Sequence, residues 1–272
     1  MTRARDVANL QSGAIINEAG ADLDFRIESD DNANMFFIDG GNDKVGIGTN
    51  SPQQLLHVSA NNPGGKIRLE MGQSGVADAD VTGEIQFYHN DSSGAGVNAD
   101  IKGICTSAIG AGALTFGTGT TSTTERMRIA SDGSVGIGCT PKTFQSGFDN
   151  LQIGGNIAIN VDSTGVGAGI YFSNNVYRDA TNSRWEYIYT DEATQYLQAS
   201  GTHRWRYASS GSADTAITWS EVMRTDTDGN LLVGTTDTSV HNNTTGTGTK
   251  IGGDGRLDVA RSADTCATFN RT

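Results

Sequence analysis

"DKVGIGTNSP", Asp43 to Pro52, returns almost unchanged as "GSVGIGCTP" at Gly133 to Pro141, and in altered form as "GNLLVGTTD" at Gly229 to Asp237. A glycine pair around one apolar residue fits a phosphate loop, a catalytic turn or a structural repeat. The flanks decide for the repeat. Upstream stand "MFFIDGGND", "MRIASDG" and "VMRTDTDG", each a Met, a strand-like segment and a turn. Downstream come Leu56-His57-Val58, Leu151-Gln152-Ile153 and Leu257-Asp258-Val259, each apolar-polar-apolar. Further on, "TGEIQFYHN" matches "GAGIYFSNN". Self-similarity at a long fixed period signals a repeated supersecondary unit. The unit divides the chain into 1–34, 35–126, 127–221 and a partial copy at 222–272.

Within a unit the patterning has period two. Ile67 and Leu69 oppose Lys66, Arg68 and Glu70 in "KIRLE"; Ile85 and Phe87 oppose Glu84 and Gln86; Met127 and Ile129 oppose Arg126 and Arg128. Such alternation predicts short antiparallel strands. "RARDVANLQS" is the best helical candidate. The expected class is all-β with little helix. Glycine weakens a strand by about 0.5–1 kcal/mol relative to Ala. Gly46, Gly48, Gly136, Gly138 and Gly234 therefore predict places where other backbone comes close, with Ile47, Ile137 and Val233 as the apolar members of each copy. Leu232 replaces the first glycine in the third copy, which a glycine-dependent loop would not survive.

Composition excludes several functions. The formal charge is −12 over 272 residues, against a basic nucleic-acid or anionic-membrane surface; Arg3 and Arg5 are too small a basic cluster to alter this. No apolar run reaches membrane-spanning length, and the stretch Met1 to Ile15 has no apolar h-region, so it does not read as a secretory signal. Cys105, Cys139 and Cys266 form no CxxC pair, so neither zinc nor a redox motif is expected. After Gly48 comes "TNSPQQ", with neither the third Gly nor the Lys of a phosphate loop. "GQSGV" fails as a nucleophile elbow, the four His are isolated, and "TDTDGN" reads as a hairpin turn before a calcium loop. Asp179, Glu186, Asp191 and Glu192 read as turn and edge charges, although paired carboxylates are defined in space. No cofactor, no metal and no catalytic residue is expected.

One asymmetry stands out. All three Trp lie in the stretch 184–219, with Trp185, Tyr187 and Tyr189 spaced for one strand face and Trp205 and Tyr207 for another. Such faces pack cores, stack on sugars or anchor interfaces. These five are the candidate receptor- or glycan-binding residues.

"DKVGIGTNSPQQLLHV" and "ERMRIASDGSVGIG" together resemble segments of bacteriophage tail fibres and related appendage proteins. The resemblance implies an elongated homotrimeric β-fibre of the virion, assembled in the host cytoplasm. It implies partners in other tail or virion proteins through the N-terminus, "MTRARDVANL" by position, and in a host surface glycan or outer-membrane protein. The self-cleaving chaperone domain that often ends such fibres has no visible counterpart here. Alternatives are a polysaccharide-degrading tailspike, against which no short coil repeat is found, a non-viral surface adhesin, and a compact lectin. Trimerisation also follows from physics: open strand edges and a sparse apolar content are tolerable when partners close them.

Overall fold

The computed structural model describes residues 24–61, 63–162, 168–242 and 246–261. "RARDVANLQS" and most of the expected attachment segment lie outside them. The protein is all-β; among the described residues the one helical turn is a 3₁₀ turn at Val240–Asn242.

The contacts divide the chain into two units, with the division between Leu69 and Glu70. The first holds a four-stranded sheet: β1 (Phe25–Ile27), β2 (Phe36–Asp39), β3 (Lys44–Ile47) and β4 (Leu56–Val58). The second holds a fourteen-stranded sheet. Its strands run β5 (Val81–His89), β6 (Gly96–Cys105), β7 (Gly112–Gly119), β8 (Thr123–Ile129), β9 (Val135–Ile137), β10 (Phe148–Ile153), β11 (Ile157–Asp162) and β12 (Ile170–Asn174). After a separate hairpin, β13 (Val176–Arg178) and β14 (Trp185–Tyr187), it continues through β15 (Asp191–Ala199), β16 (Thr202–Gly211), β17 (Ser220–Thr225), β18 (Leu231–Val233), β19 (Gly248–Ile251) and β20 (Leu257–Ala260). β8 and β17 each straddle an expected module boundary, so this sheet does not break there.

The expected strand "KIRLE" does not form. It holds the place between β4 and β5 that β11 holds between β10 and β12, where β11 pairs with both neighbours. Ile67 is 70% exposed. Alternation alone is insufficient, because a strand needs a ladder to satisfy its backbone.

The glycine strands have a local explanation. β3 and β9 lie parallel to β4 and β10, with Gly46 opposite His57 and Gly136 opposite Gln152. A Cβ on Gly46 would sit 2.2 Å from the Thr49 carbonyl oxygen; one on Gly136 would sit 2.3 Å from that of Cys139. The turn after each strand folds back over the missing side chain. Gly48, Gly138 and Gly234 adopt φ of +80°, +69° and +66°, the left-handed region open to Gly. Their N–H groups donate to the carbonyls of Asn34, Arg126 and Val222. In the third copy β18 pairs antiparallel with β19 instead, and Leu257–Val259 falls one strand further out. There Leu232 occupies the glycine position, 0% exposed.

"E-x-M-R" also acquires a mechanism. A register shift at Arg126 separates Met127↔Phe116 from Glu125↔Gly117, and one at Val222 separates Met223↔Trp205 from Glu221↔Arg206. The extra residue turns Glu125 to the side of Arg128, and Glu221 to that of Arg224. Both pairs close as two-pronged ion pairs.

Candidate functional site: an open apolar sheet face

The two faces of the large sheet are inverted relative to the usual arrangement. Following the register across ten strands gives Leu114, Ile129, Val135, Leu151, Ile159, Phe172, Tyr196, Trp205, Met223 and Val233 in one cross-strand row. A second row on the same face joins Ile85, Ile101, Phe116, Met127, Ile137, Ile153 and Ile157. Every member is apolar or aromatic, and none is buried in the single chain. Ile137 is 41% and Phe172 42% exposed. Phe172, Tyr196 and Trp205 form a ring ladder, with centroids 6.1 and 4.9 Å apart. A continuous apolar surface on this scale marks an interaction face.

The opposite face is polar yet covered. Its row between those two reads Thr115, Arg128, Gly136, Gln152, Ala158, Ser173, Gln195 and Arg206, of which all but Arg128 and Arg206 are buried. Buried amides must be hydrogen-bonded, and these are: Gln152 Nε2 donates to the Gly155 carbonyl at 2.8 Å and Gln195 Nε2 to Ser173 Oγ at 2.8 Å. The cover is the β13–β14 hairpin with its flanking loops. Ala158 packs with Phe144, Tyr177 and Ile188; Ala193 and Ala208 pack with Val176 and Tyr187. Alanines in the sheet let the hairpin approach closely.

The candidate aromatics divide accordingly. Trp185 and Tyr187 belong to the hairpin, with Tyr187 buried and Trp185 against Tyr171 at 4.9 Å and Phe148 at 5.8 Å. Tyr189 lies beyond the end of β14, about half exposed, with its hydroxyl beside Gly155. Trp205 and Tyr207 stand on the open apolar face, not with Trp185. Ile47, Ile137 and Val233 are exposed at matching ends of their strands, Ile137 and Val233 on the open face and Ile47 in the first unit. Alternation sorts the apolar and polar side chains onto opposite faces, but it does not show that the polar side, with Gln152 2% exposed, is covered by a hairpin.

The hairpin is anchored by a buried carboxylate. Glu186, 1% exposed, accepts from Arg184 Nε at 2.8 Å, Asn182 Nδ2 at 3.0 Å and the Tyr177 hydroxyl at 2.9 Å. The same hydroxyl lies 2.9 Å from Asp214, which receives Lys142 Nζ at 2.7 Å. Burial, followed by the two carboxylates, raises the Tyr177 pKa, so it stays a neutral donor. Lys142, followed by Tyr177, holds Asp214 below the usual carboxylate range. Asp179 accepts from the Asn182 amide in the hairpin turn, and Asp191 accepts from the Glu192 amide. No group of three metal-binding side chains occurs among the described residues. Trp219 carries the Arg206 guanidinium over its ring at 4.3 Å, and burial pulls the Arg206 pKa down to about 10.

A lowered folded-state pKa at Asp214 adds stability that is complete above its unfolded value of about 3.9 and is lost as pH falls through the folded value. Asp214→Asn is expected to lower the melting temperature at pH 7 and to flatten its decline below pH 4. Thermal melts at both pH values check this; a variant with an unchanged acid profile contradicts the linkage.

No family model matches the chain, and no curated protein matches it. Among solved structures it is similar to the carboxy-terminal domain of the bacteriophage T5 L-shaped tail fibre with its intramolecular chaperone domain. That similarity has a TM-score of 0.37 and 12% identity, over 79% of this chain and 68% of that one.

Proposed function

We propose that the chain is a non-enzymatic structural component of a phage tail fibre, acting in host adhesion as a homotrimer. The observation that carries this reading is the open apolar face, with its two cross-strand rows. Covering one half-exposed Ile or Phe gains on the order of 1 kcal/mol, since full burial gains about 1.5–3. The row members that are 39–52% exposed, Ile85, Leu114, Ile137, Ile157, Phe172 and Val233, together gain about 6 kcal/mol per chain, within the roughly 4–15 kcal/mol cost of association, and the partly exposed members of both rows add to it. A second copy supplies the matching surface, and closed rotational symmetry ends the growth that an open sheet would invite. The tail-fibre assignment rests on the "VGIGTNSP" and "ERMRIASDG" resemblance. The self-complementary face makes the assembly, which leaves Trp205 and Tyr207 inside it and the polar, hairpin-bearing side outward to meet a host surface. Negative-stain images of the purified chain are expected to show rods of uniform width. Compact round particles would instead favour a lectin-like monomer.

A further inference from the structure

We propose that residues 66–69 are a fifth strand of the first sheet, which forms along the open edge of β4 only when a second copy covers that sheet. β4 ends the order β1-β2-β3-β4, so its outer edge has no ladder partner among the described residues. The Leu55 carbonyl and the Ser59 amide bond to β3, so by alternation the N–H and C=O groups of Leu56 and Val58 point outward. The second repeat shows what fits such an edge. There β11 pairs antiparallel with β10 through Ile153↔Ile157 and Leu151↔Ile159. Carried onto the first repeat, that register sets Val58 opposite Ile67 and Leu56 opposite Leu69. The chain already returns to this edge: a Cβ on Gly65 would sit 2.4 Å from the Val58 carbonyl oxygen.

The first sheet repeats the open face of the large one. Phe25, Ile38, Val45 and Leu56 stand opposite one another across its four strands. Ile27, Phe36, Ile47 and Val58 lie two residues along on the same side. None of the eight is buried in the single chain. Leu69 and Ile67 would extend these rows by one strand, as Ile159 and Ile157 do in the large sheet. Eight residues separate Val58 from Ile67, where three separate Ile153 from Ile157, so closing this hairpin costs more entropy. On an uncovered face Ile67 and Leu69 would stay half wet, and the burial that offsets ordering the strand is missing. A second copy laid on the face supplies that burial, so strand and cover form together. The proposal rests on the assembly reading above and identifies the segment of the chain that responds to assembly.

Hydrogen exchange on the full chain, read at the Ile67 and Leu69 amides that the ladder would engage, tests it. In the three-chain particle both are expected to exchange at least about tenfold more slowly than in the single chains that Ile137→Asp produces. Leu69→Pro, at an exposed position, removes a ladder N–H. It should return Ile67 to fast exchange while keeping the three-chain mass, because the face of the large sheet is unaltered. Fast exchange at both amides in an unmodified protein of three-chain mass overturns the strand and leaves the fibre reading standing. Equal protection in Ile137→Asp chains means that the strand needs no second copy, and overturns the coupling. Protection of Ile67 that survives Leu69→Pro arises without the ladder and overturns the register. A single-chain mass for the unmodified protein removes the assembly reading and this inference with it.

Discussion

Ile137→Asp is expected to convert a three-chain particle into single chains at micromolar concentration. Ile137 stands within the row that joins Ile85 to Ile157, between Met127 and Ile153, and is 41% exposed in one chain. In the isolated chain the new carboxylate would reach water, so the sheet itself loses little. In a covered face it would be buried among Ile and Met with no cation to pair. An uncompensated buried charge costs about 3–5 kcal/mol, and threefold symmetry applies the cost three times. At about 1.4 kcal/mol per decade, that is enough to abolish assembly. Ile109→Asp, at a position 94% exposed in the turn between β6 and β7, serves as the control and should leave the mass unchanged. Light scattering on both variants reads the difference; an Ile137→Asp protein that keeps its mass would place the interface elsewhere.

The second large effect concerns the backbone. Gly136→Val is expected to destabilise the large sheet by about 3 kcal/mol or more, the range of severe core substitutions. Its Cβ would lie 2.3 Å from the Cys139 carbonyl oxygen and 2.7 Å from Pro141 Cδ. Neither is the free end of a flexible side chain, so the turn must open. Opening breaks the Gly138 N–H bond to Arg126 and the Lys142 N–H bond to Gln152 Oε1. At the same register in the third copy, Leu232 pairs with Arg224 as Gly136 pairs with Arg128. There the cost is reversed. Leu232→Ala should lose about 2–5 kcal/mol through a cavity. Urea denaturation of the two variants checks both numbers, and a mild effect in either would mean the turn is softer than its contacts indicate.

How much of this was legible beforehand follows from where each feature is encoded. The strands around Met127 and Met223 were legible because alternation and Asp-Gly turns are local: Gly133 and Gly229 take φ of +86° and +78°, as tight hairpins require. The close approach at Gly46 and Gly136 is legible from glycine's poor fit to a strand, and the approaching group is the backbone of the chain's own turn, Thr49 and Cys139. "KIRLE" carries the alternation of a strand, but its ladder partner does not form. Trp185, Tyr187 and Tyr189 were grouped by spacing alone. The strand ends at Tyr187, so Tyr189 parts from the other two, and Trp205 lies on the opposite side of the large sheet from the hairpin. The buried Glu186 network carries no sequence signal. It depends on the hairpin folding back over a polar sheet face, which brings Lys142, Tyr177 and Asp214 together from separate parts of the chain.

The central claim is that copies of this chain cover the open apolar face. Sedimentation velocity combined with light scattering on the unmodified protein measures this most directly. The expected result is one species of about three times the 28.5 kDa chain mass, with a raised frictional ratio. A stable, compact species of one chain mass would contradict it.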